Sequence, residues 1–395
     1  MINNKNKLCP ICEKKTKFFF SKNKQPSKIW PSKNFLKFKK KTLNLNICFE
    51  CRHIFQYPMP NNKQMKEYYD EDQNNYTSLI KNPELGESRE IKKVNFIKKI
   101  ISNLPNKPSI LEIGGFDGWM LMKLKKVARK TLLIEPNKVG VRIAKKNNIN
   151  CLNKYFNSSL VKNKKIKFDI VVARNIIEHI PKINEFAQSV INATKKNGVI
   201  IIETPDQNTV VTKALQKAFI LQHLHCFSDF SLLKIFKNHK IIHQEIDSQD
   251  SLLIQALTNS KNLLFNNKRK FKVEKIKQYK KKISRFNEIN NNKVKKLKLF
   301  LSKNAKKDVW IYGASQQITN LFTLYKLNKN TFKGIVDSDI KKTKFRIPAC
   351  NHLRIHSIKT LNKLKNNPIV ITSVAKFDIT KTLNKYKHNG SRYFL

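Results

Sequence analysis

The sequence predicts an α/β architecture, with two parallel-sheet domains behind a cysteine-bearing module, on three observations. Short apolar segments alternate with helix-length stretches twice along the chain, the pattern of strands buried on both faces by crossover helices. Three of only nine glycines fall in one stretch, "ILEIGGFDGWML", at Gly114, Gly115 and Gly118. Two C-x-x-C pairs, Cys9 with Cys12 and Cys48 with Cys51, stand near the amino terminus.

Residues 1–67 form the cysteine module, where four thiolates on two knuckle turns suit a tetrahedral structural zinc. His53 lies two residues past Cys51, but four cysteines already close the shell. Residues 68–260 are expected to form the first sheet domain. A helix ends in "SREIKKVNFIKKIISNL", and short buried strands follow at "SILEIG", "TLLIEP", "FDIVVARN" and "GVIIIETP". "HKIIHQEID" and "SLLIQALT" are close enough to pair as a hairpin at the sheet edge. Residues 261–307 read as a lysine-rich bridging helix with an imperfect apolar stripe, Ile283, Phe286, Ile289, Leu297 and Leu301. Residues 308–395 alternate again through "VWIYGAS", "FKGIVDSD" and "PIVITSVA", as a second, smaller doubly wound domain does.

A chain of 395 residues exceeds what one hydrophobic core usually serves, and its apolar fraction of 40% is enough for real cores. No segment is apolar enough for a membrane span and the first residues do not read as a signal peptide, so a soluble, cytoplasmic protein is expected. Paired cysteines in a reducing compartment hold metal more often than disulfides. The net charge of +53, from 80 Lys+Arg against 27 Asp+Glu, invites a nucleic-acid partner. Only ten of the basic residues are arginine, however, and the lysines are scattered among Asn, Ile and Phe, as an AT-rich genome would write them. On either account the field attracts phosphorylated substrates.

The glycines have a physical reading. A strand ending Glu112-Ile113-Gly114 and turning through Gly115 and Gly118 into a helix lets a ligand approach the main chain closely. Glu135, at the end of the next strand, can accept hydrogen bonds from both hydroxyls of a ribose. A βα unit that binds nothing is the plain alternative.

At these residues the sequence resembles the S-adenosylmethionine-dependent methyltransferases of the Rossmann-like class. "EIGGFDGWML" is similar to the E-I-G-S-N-D-G of the sugar C-methyltransferases, and the likeness continues through "IEPN", "ARNIIEHIP" and "HLHCFSDFSLL" to "IYGAS". The resemblance spans nearly the whole chain. It implies a zinc-binding amino-terminal module, a Rossmann-like methyltransferase sheet and a second Rossmann-like domain at the carboxyl end. It further implies S-adenosylmethionine as cofactor, held by Glu112, Gly114, Gly115, Gly118 and Glu135, and a small nucleotide-linked keto-sugar as substrate.

For catalysis the family carries a Glu-His pair in the loop after "GVIIIETP", its histidine proposed as the base. Here the pair is Gln222-His223. A neutral amide can orient an imidazole but cannot raise its basicity, so His225 is the second candidate and a structural histidine the alternative. The family also places a tyrosine near the substrate, at Tyr76 here; a lone aromatic is otherwise more often core. Glu178 and His179 in "NIIEHIP" read more readily as structural or pocket-forming residues than as an acid-base pair. In the carboxyl-terminal domain Gly313 and Asp337 repeat the glycine-then-acid order, but the family's lysine after G-A-S is Gln316 or Gln317 here and its Trp-Asn pair appears as "ITSVAKF". The rival functions are an RNA methyltransferase, which the charge would suit, and a non-catalytic cofactor-binding scaffold, which the lost carboxylate would suit.

Overall fold

A computed structural model describes residues 8–26, 40–61, 63–65, 78–81, 83, 87–215, 218–247, 251–261, 275–315, 317–347, 350–372 and 376–395. By contacts the chain forms two compact units, Met1–Phe19, Asn46–Asn208 and Gln222–Ile276 in the first, Phe20–Leu45, Thr209–Leu221 and Lys277–Leu395 in the second.

The first unit is built on a seven-stranded sheet of β4 (Ser109–Ile113), β5 (Lys130–Ile134), β6 (Cys151–Leu152), β7 (Phe168–Arg174), β8 (Thr194–Pro205), β10 (Lys240–Asp247) and β11 (Leu252–Thr258). Their order is β10-β11-β8-β7-β4-β5-β6. The five strands from β8 to β6 are parallel, and the expected hairpin at the edge is present, β11 running antiparallel to β8 and β10 to β11.

Period-two alternation gives each central strand two apolar faces. Leu111, Val171 and Ile200 enter one core, while Ile110, Val172 and Ile201 enter the other. Each such side chain, fully buried, stabilises by about 1.5–3 kcal/mol. The chain winds from β4 to β5 and β6 on one side, then returns to β7 and β8 on the other. The crevice at the carboxyl ends of β4 and β7 is therefore the switch point where open α/β sheets bind ligands.

A second sheet runs β1 (Lys17–Pro26), β2 (Lys40–Cys48), β3 (His53–Gln56) and β9 (His225–Cys226) in that order. β3 and β9 pair antiparallel within the first unit, Ile54 against Cys226 and Phe55 against His225.

The second unit holds five parallel strands in the order β14-β13-β12-β15-β16, namely Ile355–Ser357, Gly334–Asp337, Trp310–Tyr312, Ile369–Ile371 and Arg392–Phe394. The lysine-rich helix is Ile276–Lys303, and it buries Tyr279, Phe286, Asn290 and Leu297 while Ile283 and Ile289 stay half-buried. Phe286 meets Phe20 edge-on with ring centroids 5.4 Å apart and Phe219 at 5.8 Å.

Candidate active site

The glycine turn sits at the switch point. Gly114 and Gly118 both hold φ of +72°, the left-handed region that a Cβ disfavours. At Gly115 the requirement is space, because a Cβ there would stand 2.2 Å from the carboxyl carbon of Glu112. Glu135, at the end of β5, ties the turn down: its Oε2 accepts the Phe116 N–H at 2.9 Å and its Oε1 the Asn137 N–H at 2.7 Å. Each oxygen keeps a second lone pair for a ligand hydroxyl. Asp117 braces the other side, accepting Ser78 Oγ–H at 2.7 Å and the Trp119 N–H at 3.0 Å.

Glu112 is buried, and its Oε2 has no hydrogen-bond partner among the described residues. Burial pushes its carboxyl up to about 8, against the pull of Arg174. The unpaired oxygen of that neutral buried carboxyl, beside the glycine turn, fits a polar ligand group that donates a hydrogen bond, and the Glu135 carboxylate fits a ribose. These residues thus fit S-adenosylmethionine, which would lie between Glu112, the turn and Glu135.

Behind Glu112 lies a charge cluster that sequence reasoning missed. Arg174, ending β7, pairs with Glu90 and with Glu203 of β8, Nη2 to Oε1 at 3.3 Å in the latter case. Lys93 reaches Glu90 at 3.0 Å and Glu203 at 3.4 Å. Glu90 and Lys93 come from the helix Glu87–Ile101, where i and i+3 share a face. The only sequence signals were this spacing and an arginine closing an apolar strand.

The histidines separate into two groups. His225 donates Nε2–H to the Ile180 carbonyl at 3.0 Å, which fixes its tautomer, and its Nδ1 then accepts from His53 Nε2 at 2.9 Å. Both nitrogens are taken and the ring is 2% exposed, with burial driving its pKa down to about 4. His225, the second candidate for the base, thus has no lone pair for a substrate proton. His223 instead stands half-buried beside His179, ring centroids 4.9 Å apart. His179 donates Nδ1–H to the Gln222 carbonyl at 2.8 Å, and burial lowers its pKa to about 4. Glu178, whose carboxyl burial raises to about 8, lies next to it. Tyr76 falls outside the described residues.

The four cysteines converge as their spacing predicted. Sγ of Cys9 lies 3.4 Å from that of Cys51, and Cys12 3.5 Å from Cys48; all four sulfurs are within 4.8 Å of one another. A zinc with Zn–S bonds of about 2.3 Å holds tetrahedral sulfurs roughly 3.8 Å apart, so the donor set fits that ion. The crowded thiols act on one another: hydrogen bonding within the cluster draws the Cys48 thiol down and pushes that of Cys9 up. His53 takes no part, since it turns to His225.

In the second unit Gly313, at φ +96°, and Asp337 repeat the arrangement of the first. Asp337 Oδ2 accepts the Ala314 N–H at 2.7 Å and Oδ1 the Asp339 N–H at 2.8 Å, with Lys342 Nζ 3.0 Å from Oδ2. Gln316 and residues 373–375 of "ITSVAKF" fall outside the described residues.

Fold and site together define a Rossmann-like α/β enzyme of the S-adenosylmethionine-dependent methyltransferase class. Residues 87–239 match the family described as a methyltransferase domain, and residues 254–395 match the C-methyltransferase C-terminal domain. The chain is therefore a methyltransferase carrying a C-methyltransferase C-terminal domain. Among solved structures it is similar to the N-methyltransferase NodS from Bradyrhizobium japonicum WM9 in complex with S-adenosyl-l-homocysteine, at 11% identity over 43% of this chain and 87% of that one, TM-score 0.35. It is also similar to a possible histamine N-methyltransferase from Thermotoga maritima, at 15% identity over 44% of this chain and 95% of that one, TM-score 0.32. No curated protein matches the sequence. No helix among the described residues is long and apolar enough to cross a membrane.

Proposed function

We propose that the enzyme C-methylates a small nucleotide-linked keto-sugar through an enolate, with His223 as the base. The observation that carries this reading is the C-methyltransferase C-terminal domain joined to a methyltransferase sheet. A ketone acidifies the neighbouring C–H, and a histidine imidazole is the side chain commonly used to take such a proton. Bound at the glycine turn, S-adenosylmethionine supplies a sulfonium methyl, and transfer leaves a neutral thioether.

The chain's own residues position the reactants and take up the proton. His179, kept neutral by burial, packs on His223 without opposing the charge that imidazole gains. Gln222, in place of the family's carboxylate, adds no basicity, and its backbone carbonyl holds the His179 ring. Glu135 and the turn fix the cofactor, so alignment of carbon and methyl is the main contribution of the protein. Cys9, Cys12, Cys48 and Cys51 hold a structural zinc, which leaves no open position for chemistry.

The net charge of +53 favours a second reading, an RNA methyltransferase. Incubation of the zinc-loaded full chain with S-adenosylmethionine and, in parallel, a panel of nucleotide-linked keto-sugars and total RNA tests both. A new methyl on carbon, seen by NMR of the product, supports the proposal. A methyl on oxygen or nitrogen, methylated RNA, or cofactor binding with no acceptor overturns it, the last in favour of a scaffold.

A further inference from the structure

Besides the four cysteines, one other group among the described residues places metal-ligating atoms within 4.8 Å of one another: Glu178, His179 and His223. Two of the three are oriented by contacts that leave a ligand atom directed at the others. His179 gives Nδ1–H to the Gln222 carbonyl at 2.8 Å, so the lone pair is on Nε2. Thr204 Oγ1 donates to Glu178 Oε2 at 3.2 Å, which leaves Oε1 facing His179 Nε2 at 3.7 Å. An ion bonded at about 2.0–2.2 Å to nitrogen and oxygen spans that separation. Metal-binding imidazoles are commonly fixed in this way, through the far nitrogen and a backbone carbonyl. His223 closes the third side, its ring edge-on to His179. The side chain of His179 is 22% exposed, so an ion has an approach.

From this geometry we propose that Glu178, His179 and His223 form a second metal site, for one divalent transition-metal ion. Two imidazoles and one carboxylate are a borderline donor set suited to zinc, cobalt or iron rather than magnesium or calcium. Occupancy also has a consequence, which rests on the reading of His223 as base: the lone pair given to the ion is withheld from a substrate proton. The ion is an inhibitor of proton abstraction, distinct from the structural zinc.

The test is a Co2+ titration of protein whose four-cysteine site is already filled with zinc, followed by visible absorption. One cobalt per chain is expected, with the bands of nitrogen and oxygen ligation and no sulfur-to-metal charge transfer. Glu178→Gln and His223→Ala should each weaken it by at least about 10–100-fold, the loss that even an outer-shell partner causes. No cobalt beyond the zinc, or a spectrum and affinity unchanged in both variants, overturns the site. Substrate α-hydrogen exchange should fall with the same midpoint as the absorption rises; bound cobalt with undiminished exchange overturns the inhibition and leaves the site standing. If no sugar exchanges at all, the enolate reading fails while the absorption result still decides the metal.

Discussion

His53 Nε2 and His225 Nδ1 lie 2.9 Å apart, joining the cysteine module to the strand that follows His223. The rings are stacked at 5.0 Å between centroids and flanked by Phe227, 4.8 Å from His53. Gln56 N–H adds a backbone bond to the Leu224 carbonyl at 2.8 Å. The knuckle ending at Cys51 is thus two residues from a contact that sets the pocket loop. Replacing His53 by Ala leaves His225 Nδ1 buried without a donor, so about 1–3 kcal/mol of stability should be lost in urea unfolding. Unchanged stability would mean that the pair is incidental.

One zinc per chain is expected, bound by Cys9, Cys12, Cys48 and Cys51. Elemental analysis of protein purified without chelator checks the number. Because β3 pairs with β9, stripping the zinc should also raise amide exchange at residues 222–226; exchange confined to the cysteine loops would contradict that coupling.

Glu135→Ala should weaken S-adenosylmethionine binding by about 1–3 kcal/mol, the scale of hydrogen bonds to a charged group. The structure adds that Glu135 also accepts Phe116 N–H, so the substitution loosens the glycine turn as well. Calorimetry on folded variant with unchanged affinity would remove Glu135 from the site.

Glu112 makes stability depend on pH. Its carboxyl is raised from 4.5 to about 8 by burial, so the folded state binds the extra proton between those values. That contribution is whole below pH 4.5 and is lost as pH rises through 8. Glu112→Gln, neutral throughout, should gain on wild type by a few kcal/mol between pH 5 and pH 8 in matched denaturant melts. A pH-independent difference would show that the carboxyl is not neutral when buried.

Much of this was legible in sequence because the signals are local. "FDIVVARN" and "GVIIIETP" are strands buried on both faces, and their unbroken apolar runs betray that directly. Cys9-x-x-Cys12, Cys48-x-x-Cys51, the glycine turn and Glu135 each follow from spacing or position within one element. What stayed hidden joins distant segments. Glu90 and Lys93 look like an ordinary charged helix face until β7 and β8 bring Arg174 and Glu203 to them. The sequence offers His225 as a second candidate base, since nothing in the chain order places His53 against it. The hairpin was readable from two neighbouring strands, whereas the insertion of β11 between β10 and β8 is a property of the closed sheet.

The central claim is that His223 removes a carbon-bound proton before methyl transfer, and solvent exchange reads that step apart from transfer itself. Wild-type enzyme holding a nucleotide-linked keto-sugar with S-adenosylhomocysteine should exchange the sugar α-hydrogen for deuterium. His223→Ala should abolish the exchange while binding cofactor normally. Exchange at the wild-type rate in His223→Ala would contradict the assignment of the base, and a wild-type enzyme that exchanges no sugar proton would contradict C-methylation.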